Sequence, residues 1–378
     1  MKILVAGGGT AGHIAPVLAV IASIRALNKE AEILFVCSGK SQETALLKSN
    51  NIEFKTVPSG KFRRYGRGPI KEAMDVKTQS KNIADMARVL RGYVYSRKII
   101  KQFKPDVVFI KGGYVGLPVG MAANSLKVPV VLHESDIVMG KTNSTLAKKA
   151  KAIAVSFPIE AYRGVDDSKL SFTGNPVRSE FYPASDSKPY SLNKQKPNIM
   201  IFAGSQGAES INDNVFENID LFTKNFHLLH LTGEQGIERA RFIKHRMPKD
   251  LQKFYDPVDF LTSEMAAAYK WADVIVARGG MNSLSELAAL SKPAIVIPLP
   301  SSTNNHQFKN ASYLAQHGAV RILDQTNVKG LGLINEISKL FDRPETLKYL
   351  SETIHKFFKP SAALDIARLI ISTAENRK

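Results

Sequence analysis

The sequence predicts an α/β protein with two Rossmann-like domains, each built around a parallel sheet. Short apolar stretches alternate with glycine-rich or polar loops and with segments of helical periodicity, which is the pattern of βα repeats. The pattern breaks near residue 177 and restarts at residue 198, after a stretch rich in Pro, Ser and Lys. A chain of 378 residues is also too long for one ordinary core. We therefore predict a first domain at 1–176, a second at 177–350, and a helical segment at 351–378 that could pack back on the first domain.

The chain is strongly basic, and the charge is uneven. The net charge is +18, most of it in the first half, with a dense cluster between Lys61 and Lys104. Such a surface attracts nucleic acid or an anionic membrane, but nucleic-acid modules usually interleave aromatic side chains with the basic ones. The single cysteine, Cys37, allows no intramolecular disulfide and fits a reducing compartment. Neither a bilayer-spanning stretch nor a signal peptide is evident, so we expect a soluble or peripheral protein.

The first half opens with a strand at 2–6, a glycine loop and a helix at 15–27. Gly7, Gly9 and Gly12 satisfy GxGxxG, so a dinucleotide site must be considered. The second strand, at 32–37, ends in Ser-Gly-Lys and lacks the acidic residue that would bind the ribose of NAD, which disfavours NAD. His13, where the helix begins, is either a polar cap or a proton acceptor.

Further strands are expected at 106–111, 128–132 and 152–155, each followed by a glycine or polar loop at the edge where open α/β sheets bind ligands. A basic loop at 59–68 and helices at 69–76 and 82–103 precede them. The apolar stripe of the second helix, which includes Met86, Leu90 and Val94, is expected to pack inward. His133 is either a satisfied histidine near the core or a functional residue.

The second half repeats the βα pattern. Its central unit is the stretch at 272–300, which is predicted to form a strand, a glycine loop, a helix and a second strand. Strands are expected at 198–202, 227–232, 258–261, 274–277, 294–297 and 320–322, and helices from 210 and at 263–270, 283–290 and 361–374. Gly279 and Gly280 allow close backbone approach, and Asn282 and Ser283 offer N-caps at a helix start that favours phosphate. Glu286 either closes a capping box with Ser283 or faces a ligand, where a carboxylate can hold the two hydroxyls of a ribose.

Six motifs stand in loops at the expected sheet edges, in one order along nearly the whole chain. They are GGGTAGH at 7–13, GGY at 112–114, HESD at 133–136, NPVR at 175–178, GSQGA at 204–208 and RGGMNSLSE at 278–286. In these motifs the chain resembles the MurG family of peptidoglycan glycosyltransferases, in glycosyltransferase family 28. The resemblance implies a GT-B fold, in which two Rossmann-like domains with parallel sheets face a central cleft.

The activity implied by this resemblance is an inverting transfer of N-acetylglucosamine. The donor would be UDP-N-acetylglucosamine. The acceptor would be the 4-hydroxyl of the muramyl sugar of lipid I, the undecaprenyl-pyrophosphoryl-N-acetylmuramyl-pentapeptide. The product, lipid II, feeds peptidoglycan synthesis and with it cell shape and division. The enzyme would lie peripherally on the cytoplasmic face of the cell membrane and would bind its anionic surface. No nucleic-acid partner is expected.

The resemblance also implies roles for individual residues. Glu286 would hold the ribose, and His13 is the candidate base, so these are the predicted catalytic residues. The predicted substrate contacts are Thr10, Ala11, Gly12, Asp136, Arg178, Ser205, Leu261, Gly280, Met281, Asn282, Ser283, Leu284, Ser285, His306 and Gln307. The predicted acceptor contacts are Gly112, Gly113, Tyr114 and His133. Helix N-termini, the loop of Ser205 and Arg178 would offset the charge of the departing UDP, so we predict no metal and no cofactor.

Three positions depart from the family pattern. Ala11 replaces a glycine, Asp136 replaces an asparagine, and His306 replaces the first of two glutamines. Alternative functions are another UDP-sugar transferase acting on a lipid acceptor such as diacylglycerol, a UDP-N-acetylglucosamine 2-epimerase, and a non-enzymatic nucleotide- or nucleic-acid-binding module. The sequence does not indicate the oligomeric state.

Overall fold

The computed structural model describes residues 1–8, 11–60, 76–183, 195–203 and 208–377, without the side chains of 11–13 and 76–84. The chain forms two compact units. The first contains Met1–Pro176 together with Ser361–Lys378, and the second contains Val177–Pro360. Each unit has a parallel sheet covered by helices, so the predicted fold class is confirmed.

The first unit contains a seven-stranded parallel sheet. Its strands are β1 (Lys2–Ala6), β2 (Glu32–Cys37), β3 (Glu53–Thr56), β4 (Val107–Ile110), β5 (Val130–Glu134), β6 (Ala152–Val155) and β7 (Leu170–Phe172). They lie in the order β3-β2-β1-β4-β5-β6-β7, so the order reverses between β1 and β4. The central strands are continuous apolar runs because helices cover both faces of the sheet.

The helices of this unit up to residue 147 are α1 (Ala11–Leu27), α2 (Ser41–Ser49), α3 (Val76–Phe103), α4 (Gly113–Ser125) and α5 (Lys141–Ala147). The stretch 61–75, which contains most of the predicted basic loop and of the first predicted helix, lies outside the described residues. Short 3-10 turns occur at Ile159–Ala161, Asp167–Lys169, Ser179–Phe181, Thr303–Asn305 and Gln325–Val328.

The prediction that the apolar stripe of α3 packs inward is wrong for part of the stripe. Met86, Leu90 and Val94 are 49%, 57% and 63% exposed. The buried row of α3 runs instead through Val89, Ser96 and Ile100. The helix packs against the neighbouring α4. Because the buried row is offset by one position, the larger apolar side chains face outward.

The second unit contains a six-stranded parallel sheet. Its strands are β8 (Asn198–Phe202), β9 (His227–Leu231), β10 (Tyr255–Val258), β11 (Val274–Ala277), β12 (Ala294–Val296) and β13 (Arg321–Ile322), in the order β10-β9-β8-β11-β12-β13. Its helices are α6 (Glu209–Glu217), α7 (Ile219–Asn225), α8 (Ile237–Arg246), α9 (Lys249–Gln252), α10 (Met265–Trp271), α11 (Met281–Ala289), α12 (His306–Gln316), α13 (Gly332–Phe341) and α14 (Pro344–His355). The strand predicted at 258–261 lies earlier, because the fully buried Tyr255 begins β10.

The C-terminal segment divides between the two units. Leu350 and Ile354 of α14 are buried in the second unit, which therefore extends to Pro360 rather than to residue 350. The last helix, α15 (Ala362–Glu375), packs against α1, and its Ile366 and Ile370 are buried in the core of the first unit. None of the helices in the described ranges combines the length and the apolar character that crossing a bilayer requires.

Candidate functional site

A pocket of about 470 Å³ opens in the second unit at the carboxyl ends of β8 and β11. These two strands are neighbours, and the strand order of the sheet reverses between them, which is where open α/β sheets bind ligands. The pocket is lined by Ala203, Ala208, Glu209, Ser210, Arg278, Gly280, Ser283, Leu299, Gln307 and Gln325. Gly280, Ser283 and Gln307 belong to the predicted site. Ser205 lies outside the described residues, although residues on both sides of its loop line the pocket.

The start of α11 forms one wall of this pocket. Gly280 occupies the N-cap position, and the space next to its Cα is open. Gly279 is closely packed, because a Cβ there would collide with the backbone oxygen of Gln307. The first turn of a helix has N–H groups outside the helical ladder and the positive end of the helix dipole. This wall therefore suits an anionic group such as a phosphate.

The helix begins two residues earlier than predicted, at Met281. Asn282 and Ser283 are therefore inside the first turn, and the interpretation of either as the N-cap is wrong. The same shift removes the capping box proposed for Glu286. Leu284 is 1% exposed in the core, and the hydroxyl of Ser285 donates to the Met281 carbonyl at 2.8 Å. The side chains of Leu284 and Ser285 are thus engaged within the protein.

Glu286 contacts side chains from two other segments. Its Oε1 lies 3.6 Å from Nη2 of Arg178, and its Oε2 accepts a hydrogen bond from the Tyr269 hydroxyl at 3.3 Å. Its side chain is 18% exposed. Burial raises the pKa of Glu286 from 4.5 to about 7, although Arg178 and Tyr269 act in the opposite direction. The carboxyl group is therefore poised between its two protonation states near neutral pH.

Arg178 is held beside Glu286 by contacts with its own neighbours. Its Nη1 lies 2.9 Å from Oε1 of Glu180, and its guanidinium lies 4.8 Å from the ring centre of Phe181. Phe181 packs edge-on against Tyr269 at 5.2 Å between ring centres. The cation, the carboxyl and the phenol thus form one connected group. The sequence motifs include Arg178 and Glu286, whereas Tyr269 lies in none of them.

Arg278, the first residue of the RGGMNSLSE motif, and Gln325 line the pocket but are not among the predicted site residues. Arg278 is 8% exposed, and its Nη1 donates to the Ile297 carbonyl at 3.1 Å and to Gln325 Oε1 at 2.9 Å. Burial lowers the pKa of Arg278 from the ordinary arginine value. An arginine directly after a buried strand was the available signal, whereas nothing in the sequence marks Gln325.

The remaining predicted donor contacts have different surroundings. Oε1 of Gln307 accepts from the Leu299 N–H at 3.0 Å at the pocket wall, and Nδ1 of His306 lies 2.7 Å from the Thr303 carbonyl. Leu261 is 6% exposed and packs in the core of the second unit. Leu261 therefore offers little side-chain surface for a nucleobase.

Glycines in the first unit bring two loops into close contact. Gly112 and Gly113 have φ values of 102° and 74°, and a Cβ on Gly113 would lie 2.7 Å from the Gly8 carbonyl oxygen. The Tyr114 hydroxyl donates to Ser38 Oγ at 3.4 Å. Thr10 is outside the described residues. Ala11, Gly12 and His13 begin α1, but their side chains are outside the description, so His13 as the base stays a prediction.

His133 is a core histidine. It is fully buried, and its Nε2 lies 3.2 Å from the Gly174 carbonyl oxygen and 3.3 Å from Ser156 Oγ. Burial and the nearby Lys111 hold its pKa well below the ordinary value, so the ring is neutral. Its Nδ1 has no hydrogen-bond partner within the described parts of the chain. Asp136, two residues after the end of β5, is half-buried.

Comparison with known proteins identifies the family. Residues 3–155 match the model of the glycosyltransferase family 28 N-terminal domain, and residues 198–366 match that of the C-terminal domain. The chain belongs to glycosyltransferase family 28. A family 28 relative from Bacillus pumilus is 35% identical over 367 residues, covering 96% of each chain. It is named UDP-N-acetylglucosamine--N-acetylmuramyl-(pentapeptide) pyrophosphoryl-undecaprenol N-acetylglucosamine transferase.

Solved structures agree with the family assignment. MurG of Acinetobacter baumannii is 25% identical with a TM-score of 0.72, covering 98% of this chain and 100% of that one. A UDP-GlcNAc 2-epimerase from Neisseria meningitidis is 14% identical with a TM-score of 0.62, covering 100% of both chains. The similarity to the epimerase concerns the fold alone. The GT-B fold by itself therefore does not distinguish a family 28 transferase from an epimerase.

In the described ranges of this family 28 chain, no group of three or more His, Cys, Asp and Glu side chains is arranged to hold a metal ion. The second unit provides the start of α11, which favours an anion, and Glu286 with its partners Arg178 and Tyr269. The first unit provides the close approach of Gly113 to Gly8 and the segment after β5 that carries Asp136.

Proposed function

We propose that this chain transfers N-acetylglucosamine from UDP-N-acetylglucosamine to the 4-hydroxyl of the muramyl sugar of lipid I, with inversion, giving lipid II. The observation that carries the proposal is the pocket at the β8–β11 edge, with Glu286 one turn inside α11, in a chain of this family. The full-length relatives at 32–35% identity that bear the name of this transferase support the same activity.

We assign the donor to the pocket of the second unit. The first turn of α11 and the Arg178 guanidinium favour the diphosphate, since both present positive charge. The Glu286 carboxylate would accept hydrogen bonds from the two ribose hydroxyls, and such bonds favour its ionised form. Binding of UDP should therefore lower the pKa of Glu286 from about 7 and release a proton near neutral pH.

The reaction requires a base and a stabilised leaving group. The acceptor hydroxyl attacks the anomeric carbon, the bond to the UDP oxygen breaks, and the hydroxyl proton passes to the base. We propose His13 as that base, from its position at the start of α1. The negative charge that develops on UDP is met by the helix start and Arg178, so the proposal includes no metal and no cofactor.

The acceptor is assigned to the first unit. Gly112, Gly113 and Tyr114 would contact its pyrophosphate, and Asp136 would contact its polar groups, where the family has an asparagine. A carboxylate would repel the pyrophosphate, but it can accept hydrogen bonds from sugar hydroxyls and amides. We therefore place Asp136 at the sugar or peptide rather than at the phosphates.

The acceptor is lipid-linked, and α3 offers a surface for the membrane that holds it. The exposed Met86, Leu90 and Val94 share this helix with exposed cations, among them Arg91 and Lys98. Apolar insertion combined with attraction to anionic lipid is the usual basis of peripheral binding. We propose peripheral attachment to the cytoplasmic face of the cell membrane, with no nucleic-acid partner.

A donor panel followed by a transfer assay tests the proposed function. Calorimetry should show selective binding of UDP-N-acetylglucosamine over UDP-glucose and no binding of NAD. The enzyme should then form the disaccharide on a lipid I analogue. A preference for UDP-glucose would favour a transferase with a different lipid acceptor, and release of the 2-epimer would favour an epimerase. A chain that binds no UDP would refute the glycosyltransferase proposal.

A further inference from the structure

Arg278 is a buried arginine in the wall of the pocket of the second unit, directly after β11. Its side-chain hydrogen bonds to the described residues all come from one nitrogen, Nη1. This atom lies 3.1 Å from the carbonyl oxygen of Ile297, 3.4 Å from that of Pro298 and 2.9 Å from Oε1 of Gln325. The guanidinium group therefore joins the ends of β11 and β12 to the 3-10 turn that begins at Gln325.

The positive charge of Arg278 has no partner of opposite charge in the described part of the chain. All its acceptors are neutral oxygens, and a neutral donor could hold them equally well, so they do not explain a charge here. Glu209 lines the same pocket, but it is exposed and forms no ion pair with Arg278. The segment 204–207, outside the described residues, is Gly-Ser-Gln-Gly and contains no acidic residue. Because a buried cation without an anion is costly, this charge indicates an anionic ligand.

The guanidinium group of Arg278 also has N–H groups that the protein does not use. An arginine side chain has five N–H donors in a planar fork, and only two of them are on Nη1. Nε and Nη2 have no hydrogen-bond acceptor among the residues that the structure describes. Since Arg278 lines the pocket, a ligand in the pocket can supply the missing acceptors. Two N–H groups of such a fork match two oxygens of a phosphate.

Arg178, the other arginine of the site, differs from Arg278 in both respects. Its Nη1 lies 2.9 Å from Oε1 of Glu180, and its Nη2 lies 3.6 Å from Oε1 of Glu286, so two carboxyl groups share its charge. Arg178 is also not among the residues that line the pocket, whereas Arg278 lines it together with Gly280 at the start of α11. The larger share of the uncompensated positive charge beside this helix start therefore belongs to Arg278.

We propose that Arg278 binds the diphosphate of the donor and is the main side-chain cation that stabilises the departing UDP. The inference rests on the proposed function, because the ligand is the donor of that reaction. When the bond between the anomeric carbon and the diphosphate oxygen breaks, its electron pair stays on that oxygen. The N–H groups of Arg278 donate to the diphosphate, whose negative charge increases in this step. Arginine stays protonated throughout, so Arg278 transfers no proton.

The test compares the binding of UDP with that of uridine, which has no phosphate. Arg278→Met should weaken UDP binding about 100-fold in calorimetry, because it removes charge-assisted hydrogen bonds to the diphosphate. Uridine affinity, measured by ligand-observed NMR, should change by less than about twofold. Arg178→Met should instead weaken both ligands, because Arg178 contacts Glu286, which we assign to the ribose. Arg321→Met, which removes an exposed arginine of the same unit, is the matched control and should change neither affinity.

A second variant, Arg278→Lys, covers the case in which Arg278→Met fails to fold. Lysine keeps the charge but lacks the planar fork, so UDP affinity should fall about tenfold while uridine affinity is retained. Unchanged UDP affinity in the folded variants, or equal losses for UDP and uridine, would overturn the proposal and leave Arg278 a structural role only. A larger loss of UDP relative to uridine in Arg178→Met than in the Arg278 variants would overturn it as well. A wild type that binds no UDP would instead refute the proposed function, and this inference with it.

Discussion

Glu286→Gln should make the second unit more stable at alkaline pH while weakening UDP binding. The folded-state pKa of Glu286 is raised to about 7 from 4.5, mainly by burial. A carboxyl group with a raised folded-state pKa contributes stability below its ordinary pKa, and that contribution is lost as the pH rises through 7. This rise in pKa corresponds to a loss of about 3 kcal/mol in the free energy of unfolding at high pH. Glutamine keeps a side-chain oxygen for the Tyr269 hydroxyl and has no charge to bury.

The expected result is a pH-dependent difference in melting temperature. The variant and the wild type should melt together near pH 4.5. At pH 8.5 the variant should melt about 6–12 °C higher, given about 2–4 °C per kcal/mol for a unit of this size. Thermal unfolding followed by circular dichroism between pH 4.5 and 8.5 measures this difference in melting temperature. Glu352→Gln removes a carboxylate that is 62% exposed in the same unit, and it should show no such trend.

UDP binding should change in the opposite direction. A neutral amide cannot replace the charge-assisted bonds that we assign to the ribose, so the affinity measured by calorimetry at pH 8 should fall about 10–100-fold. The reasoning would be refuted by a difference in melting temperature that is the same at pH 4.5 and 8.5. A wild type that is the more stable protein at pH 8.5 would refute it as well.

Three further changes test other parts of the site. Arg178→Met should weaken UDP binding by about tenfold or more in calorimetry by removing a cation from the proposed diphosphate site, and an unchanged Kd would contradict that role. Gly279→Ala should lower both UDP affinity and melting temperature, because the new methyl group collides with the Gln307 backbone; unaltered values would show that the loop relaxes freely. Leu90→Glu should reduce sedimentation with anionic vesicles, whereas Leu27→Glu, at a position 45% exposed, should not; equal losses would argue against α3 as the membrane surface.

The sequence by itself determined the architecture and the place of the pocket in the second unit. β1, β2, β6, β8 and β11 have the predicted bounds, because continuous apolar runs that end at glycine or polar residues leave few other structures open. The pocket lies at the predicted loops for the same reason: parallel strands bring their carboxyl ends to one edge, whatever the details of the packing.

Only the tertiary structure decided what individual side chains do. The spacing of Ser283 and Glu286 fits a capping box, but the helix starts at Met281, and Arg178 and Tyr269 reach Glu286 from distant segments. Likewise, the exposure of Leu90 follows from which row of α3 packs against α4. Local patterns fix periodicity and turn positions, whereas burial, charge partners and pKa depend on residues far apart in the chain, which no local window contains.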